Sequence, residues 1–170
     1  MRVGNAASKQ FQLDVYGEVM DTLHLSRAAG LAPEPAAWSI QLVLLQFLEA
    51  NWREPDEGIW EIRGPRRHFT HSKVMAWVAF DRAVKDAQAY GLEGPIDRWR
   101  QQRDAIHAQV CAQGYDSVRN TFVQSYGSPH LDASLLLISP VGFLPPEDPR
   151  VRGTVEAIER NLVVDGLVLR

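Results

Sequence analysis

Apolar residues recur at helical spacing along most of this chain, and prolines and glycines cut the pattern into separate lengths. From Phe11 to Ala29 the residues Leu13, Val15, Val19, Met20, Leu23 and Leu25 form one stripe, and Gly30 suits a C-terminal stop. After Pro33 and Pro35 a second helix is expected over 36–51. It is apolar almost all round (Trp38, Ile40, Leu42, Val43, Leu44, Phe47, Leu48), as befits a helix covered on most sides by others. A third, capped by Thr70 or Ser72, is expected to run to Tyr90 and stop at Gly91. A fourth opens with Gly94-Pro95, proline in the first turn, and ends at Gly114. The run "NTFVQSYGS" favours a short strand or ribbon. A fifth helix is expected over 132–138 and a sixth over 150–161, and "LVVDGLVLR" reads as extended chain around an Asp-Gly turn.

This order predicts an all-α fold of about three antiparallel helix pairs with long loops and a little strand. Pairs joined by such long loops suit a ring better than a compact bundle, so the expected architecture is part of an (α/α)6 toroid. Residues 1–170 then form a single but incomplete domain, and both ends read as cut: "DGLVLR" stops on an apolar alternating run. The first and last pairs of such a partial ring leave apolar flanks uncovered, which predicts self-association through residues of the kind of Leu44 and Leu136.

Charge and composition narrow the function. The 170 residues are 45% hydrophobic, and 18 Lys and Arg against 21 acids leave a formal charge of −3. No basic run offers a nucleic-acid surface, and no apolar run has bilayer length, so neither nucleic acid nor membrane is an expected partner. The N-terminal "MRVGNAASKQ" lacks the apolar stretch of a signal peptide. The single cysteine, Cys111, reads as a buried small apolar residue and fits a reducing, cytoplasmic setting. No glycine-rich phosphate loop calls for a nucleotide cofactor, and Ser125 and Ser128 lack a triad context. His68 and His71 have no third ligand at metal spacing, so neither cofactor nor metal is expected.

The stretch "WREPDEGIWEIRG" stands apart. Glu54, Asp56, Glu57 and Glu61 crowd a segment with too many turn formers for a helix and too many charges for a core strand. Hydrolysis of a glycosidic bond needs a carboxylic acid still protonated near neutral pH, and burial against apolar surface favours that form. Trp60 adjoins Glu61, and Trp52 could fold close. Flat aromatic faces also suit sugar rings, and Arg63 could bond sugar hydroxyls or lock a neighbouring carboxylate. The plain alternative is a solvated acidic loop with Trp60 as a core anchor.

The segment "WREPDEGIWEIRGPRRHFTHSKVMAW" resembles the general-acid region of glycoside hydrolase family 15, which holds glucoamylases, glucodextranases and a group of bacterial trehalases. There a Trp-Glu pair on a loop is followed by a Phe-Thr pair entering the next helix; the counterparts are Trp60-Glu61 and Phe69-Thr70. "RVGNAASKQFQLDVYGEV" looks like the bacterial branch, and "LDASLLLISPVGFLPPEDPRVRGTVEAIERNL" and "DGLVLR" are similar to later parts of the same barrel. The resemblance implies a six-hairpin glycosidase fold, Glu61 as catalytic general acid, Trp60 lining the first sugar subsite and Arg170 bonding the sugar there. Asp14 and Tyr16 fall in a cleft-facing segment, as binding residues or as helix-packing ones. Ile62 stands where glucoamylases carry a second acid. The base of an inverting mechanism would lie beyond Arg170; Asp56 and Glu57 share the loop of Glu61 and would approach the same face of the sugar, so they are not expected to replace it. The chain is thus expected to be the acid-bearing part of an inverting enzyme acting on an α-linked glucoside such as trehalose or a maltooligosaccharide. The alternative is an inactive sugar-binding or interaction module of the same fold.

Overall fold

The structure, a computed structural model, describes residues 10–62 and 64–170, so the expectation for Arg63 lies outside the described residues. They form five α-helices: α1 (Asp14–Ala28), α2 (Pro35–Asn51), α3 (Thr70–Tyr90), α4 (Ile96–Gln113) and α5 (Pro149–Leu162). Two small antiparallel ribbons complete the set. β1 (Tyr115–Asp116) pairs with β2 (Thr121–Phe122), Tyr115 opposite Phe122, and β3 (Val163–Val164) pairs with β4 (Leu167–Val168), Val163 opposite Val168. The turn of the second ribbon has Asp165 at φ 51° and Gly166 at φ 80°, the left-handed pair that an Asp-Gly hairpin turn requires. The mostly helical fold is as expected from the periodicity.

The centre of the molecule is α3 rather than the more apolar α2. Every residue from Thr70 to Val84 is buried, and α3 packs along α1 on one side and α4 on the other. Its charged residues survive burial because each has partners. Asp86 takes Arg27 and His24 of α1, and Arg27 also donates to Gln41 of α2. Arg82 donates to Asp21 of α1 at 2.6 Å, to Asp81 at 2.6 Å and to the Val141 carbonyl at 2.8 Å. By contrast α2 buries only Trp38, Gln41, Leu45 and Leu48, while Ile40, Val43 and Phe47 stand exposed. Apolar content reports that a surface wants covering; it does not report that this chain covers it.

Other expectations need correction. Residues 133–137 form a 3-10 helix (Ala133–Leu137) capped by Asp132, not an α-helix. Phe69 occupies the N-cap position of α3, because the Thr70 hydroxyl is taken by the distant Val123 carbonyl at 2.5 Å. Pro95 is the N-cap residue of α4 rather than its first-turn residue. Cys111, Leu44 and Leu136 are half-buried.

The α1–α3 seam is close enough to exclude a side chain. Gly17 faces α3, and a Cβ there would run into the Met75 backbone carbonyl. Glycine inside a helix ordinarily costs about 1 kcal/mol relative to alanine, so here the close approach decides the residue. Gly17→Ala should therefore destabilise the protein by about 1–3 kcal/mol, the usual cost of overpacking. A lowered urea midpoint with unchanged slope checks this; an unchanged or raised midpoint would show that the two helices can part.

Candidate functional site

The loop between α2 and α3 carries the candidate site, and its neck is fixed from below. Lys73, fully buried one turn into α3, donates to the carbonyls of Trp52 and Glu54, each at 2.5 Å. Asp56 and Arg67 then exchange both backbone hydrogen bonds at 3.0 Å, which closes the loop. The segment leading into α1 lies along its flank. Leu13 N–H donates to the Asp56 carboxylate at 3.1 Å, Phe11 N–H to the Glu57 carboxylate at 2.7 Å, and Glu57 N–H back to the Phe11 carbonyl at 3.0 Å. Arg66 holds the other Glu57 oxygen at 3.0 Å.

From this clamped base the chain turns over residues 58–61, with Glu61 N–H donating to the Gly58 carbonyl at 3.1 Å. Glu61 has φ 49°, in the left-handed region, and its side chain is exposed. Among the described residues the other non-glycine positions at positive φ are Asn120 and Asp165, types that tolerate it; a glutamate there is uncommon and costs of order 1 kcal/mol or more. The loop therefore holds Glu61 outward against its own backbone preference.

Trp60 is half-buried beside it. Its indole N–H donates to both carboxylate oxygens of Asp132, at 3.0 and 2.9 Å. The β3–β4 hairpin returns the chain so that the Arg170 guanidinium lies 5.3 Å from the centre of the Trp60 ring. Three expected site residues, Trp60, Glu61 and Arg170, are thus brought to one place. Trp52 is not among them. It is 2% exposed, and its indole N–H donates to Gln102 of α4 at 2.9 Å, so no ring face is free for a ligand. Tyr16 stacks on Phe47 of α2, ring centres 5.4 Å apart, in a helix-packing role. Asp14 is buried beneath the loop rather than presented by it.

Asp132 is the residue that sequence reasoning missed. It is 2% exposed and also accepts from Gln124 Nε2 (2.9 Å), Ser134 N–H (2.8 Å) and Ser134 Oγ (2.5 Å). Burial alone would push its carboxyl up, but the hydrogen bonds from Gln124, Ser134 and Trp60 outweigh burial and hold it below the usual carboxylate range. Its sequence signal was only that of a cap before "ASLLL". His71 adjoins it across a cavity of about 10 Å³, which Trp60 and Gln124 also line. Burial lowers the His71 imidazole to about 4, so it is neutral at physiological pH. His68 stacks on Tyr126 instead, ring centres 5.8 Å apart, and among the described residues no cluster of three His, Cys, Asp or Glu side chains is placed to hold a metal ion.

Asp14 and Asp56 form a buried acidic pair under the loop. Burial, reinforced by the Asp56 and Glu18 charges, raises Asp14 to about 6, and burial raises Asp56 as well. A folded-state value raised above the unfolded 3.8 means the folded protein binds the proton more tightly. The Asp14 contribution is therefore favourable at low pH and is lost as pH rises through about 6. Asp14→Asn, which mimics the protonated acid, should raise the melting temperature by several degrees at pH 7.5 and by much less at pH 4.5. Thermal unfolding at the two pH values checks it; an equal shift at both would disconnect the effect from the Asp14 proton.

Comparison with known proteins matches all of residues 1–170 to the Glycosyl hydrolases family 15. Over all 170 residues the chain is 45% identical to a trehalase of Mycobacterium tuberculosis and 39% identical to a trehalase of Thermoplasma acidophilum, covering 25% and 29% of those proteins. It thus spans about a quarter of the length of these curated relatives. Among solved structures it superposes on a glycosidase variant in complex with glucose with TM-score 0.83 at 24% identity, over 98% of this chain and 44% of that one. A second glycosidase variant gives TM-score 0.82 at the same 24% identity. The helix arrangement is that of part of the six-hairpin glycosidase fold, and the chain belongs to glycosyl hydrolase family 15.

Proposed function

We propose that this chain is the acid-bearing part of an inverting glycoside hydrolase that acts on α-linked glucosides, with Glu61 as the general acid. The observation that carries the reading is an outward-held, left-handed Glu61 next to a Trp60 ring flanked by Arg170. The Glu61 carboxylic acid donates its proton to the leaving glycosidic oxygen. A water activated by a second carboxylate attacks the anomeric carbon from the opposite ring face. Trp60 offers apolar surface to the sugar, and Arg170 donates to its hydroxyls. Trehalose is the first substrate to try, because the similar curated proteins bear the name trehalase.

The base is not among the acids near Glu61. Asp56 is fully buried, and both Glu57 oxygens are engaged, one by Phe11 N–H and one by Arg66. The second carboxylate then belongs to the further length that the relatives have, with residues 1–170 as an incomplete part of one catalytic domain. By itself the chain, without that base, gives no turnover; the alternative reading is a catalytically inactive sugar-binding or interaction module of the same fold. Among the described residues no helix is long and apolar enough to cross a membrane, and a cytoplasmic setting completes the proposal.

Two outcomes test it. In the full-length polypeptide carrying this chain, Glu61→Gln should reduce trehalose hydrolysis by about 10²–10⁴-fold while leaving the unfolding midpoint unchanged. Retention of more than about a tenth of the parental rate would remove Glu61 from the acid role. The chain expressed alone should associate through the exposed Val15, Ile40, Val43 and Phe47, and Val43→Glu should suppress that association in sedimentation velocity. A clean monomer of the unsubstituted chain at micromolar concentration would refute this second point.

A further inference from the structure

We infer that Asp132 is a positioning residue for the sugar site: its buried carboxylate fixes the plane of the Trp60 ring, and with it the place of Arg170 above that ring. This rests on the proposed sugar-binding role of Trp60, but it concerns a residue outside the loop and outside the Trp-Glu and Phe-Thr pairs. The geometry is specific. The Trp60 indole N–H sits between the two Asp132 oxygens at 3.0 and 2.9 Å, which ties the far edge of the ring to a point 72 residues away in sequence.

That point is itself tied down by hydrogen bonds on several sides. Asp132 lies at the start of the 3-10 helix, where Ser134 donates through N–H at 2.8 Å and through Oγ at 2.5 Å. Gln124 donates from the third side at 2.9 Å, and its own backbone is hydrogen-bonded to Thr70 at the start of α3. Four donors converge on one carboxylate, which has about four acceptor positions to offer. Nothing is left over for water or ligand, and the 2% exposure of Asp132 keeps it from touching a sugar directly. Its influence on substrate must therefore pass through Trp60.

The carboxylate is required, and a polar side chain of the same shape does not suffice. An amide at this position has one acceptor oxygen and brings two donors of its own, so at least one of the four converging N–H or O–H groups would face another donor. The Ser134 hydroxyl can rotate and the Gln124 amide can flip to accept, whereas the Trp60 indole N–H can only donate and is left between an oxygen and an amide NH2 from which it must turn. A turned Trp60 would no longer present the face over which Arg170 sits.

The test measures trehalose binding by isothermal calorimetry in the full-length polypeptide carrying Glu61→Gln, so that turnover does not interfere. Asp132→Asn should weaken binding about 10- to 100-fold, the size expected for losing a hydrogen bond to a charged group. Replacing Trp60 with benzothienylalanine keeps the ring size and removes only the N–H donor, and should weaken binding by a similar factor. Combined with Asp132→Asn it should cause no additional loss, because the two changes break the same bond. Effects that simply multiply would overturn the inference, as would binding within about threefold of the parent for either single change. Should Asp132→Asn fail to fold, the benzothienylalanine protein decides alone by the same threshold. Absence of any sugar binding by the parent would sink the proposed function together with this inference. Normal binding by an Asp132→Asn protein would sink the inference only.

Discussion

A fully buried helix that carries charges is the constraint on which the rest depends. Lys73, Asp81, Arg82 and Asp86 of α3 are all inside, and an unpaired charge there would cost several kcal/mol. Each therefore dictates what must lie beside it. Asp86 demands Arg27 and His24 and so sets the position of α1; Arg82 demands Asp21 and the Val141 carbonyl and so fixes both α1 and the stretch after the 3-10 helix. Lys73 demands the Trp52 and Glu54 carbonyls and so anchors the neck of the loop. The hydrophobic seam brings α1 and α3 together, down to the contact that requires Gly17. The charges decide which residues face each other along it.

The same constraint explains what could be read from sequence. Helix positions follow from local periodicity, and the Asp-Gly hairpin from local turn chemistry, so both were legible. Which helix lies at the centre was not, because α2 is the more apolar and α3 reads as mixed. The polar residues of α3 are tolerated only by partners far away in sequence, and no local pattern announces them. Thr70 illustrates the point: it has the chemistry of a cap, yet its hydroxyl goes to Val123. Trp52 does too, since an indole near an acidic loop suits a sugar face until Gln102 is seen to hold it in the core.

Within the site the division is similar. Trp60 and Glu61 stood out in sequence because the proposed acid catalysis calls for an aromatic face and an acid close together on one loop. Arg170 was singled out by family resemblance alone, and the hairpin brings it to the Trp60 ring. Asp132 lies in a segment that also resembles the family, yet nothing local marked it out, since its distinguishing feature is the convergence of donors from Trp60, Gln124 and Ser134. A cap signal says that one carboxylate oxygen has a local use; it says nothing of the others.

Where polar groups go unsatisfied is as informative as where they are paired. The Arg27–Asp86 and Arg82–Asp21 networks, away from the loop, are complete. Among the described residues, buried polar atoms without a protein partner instead gather around the loop: on Gln10 and Asp14 at the entry to α1, on His68 and His71 at the start of α3, and on Tyr126 against His68. Gln109 of α4 is the exception. The strained backbone of Glu61 lies in the same region. A sequence shaped for stability alone would have relieved these conflicts, as it did elsewhere along the same helix. Their concentration at one end of α3 lies beside the loop proposed as the working surface. It also shows how the cost is borne. Lys73, itself lowered by burial to about 8, ties the neck to α3, so that a strained glutamate and a buried acidic pair can persist on a scaffold that does not yield to them.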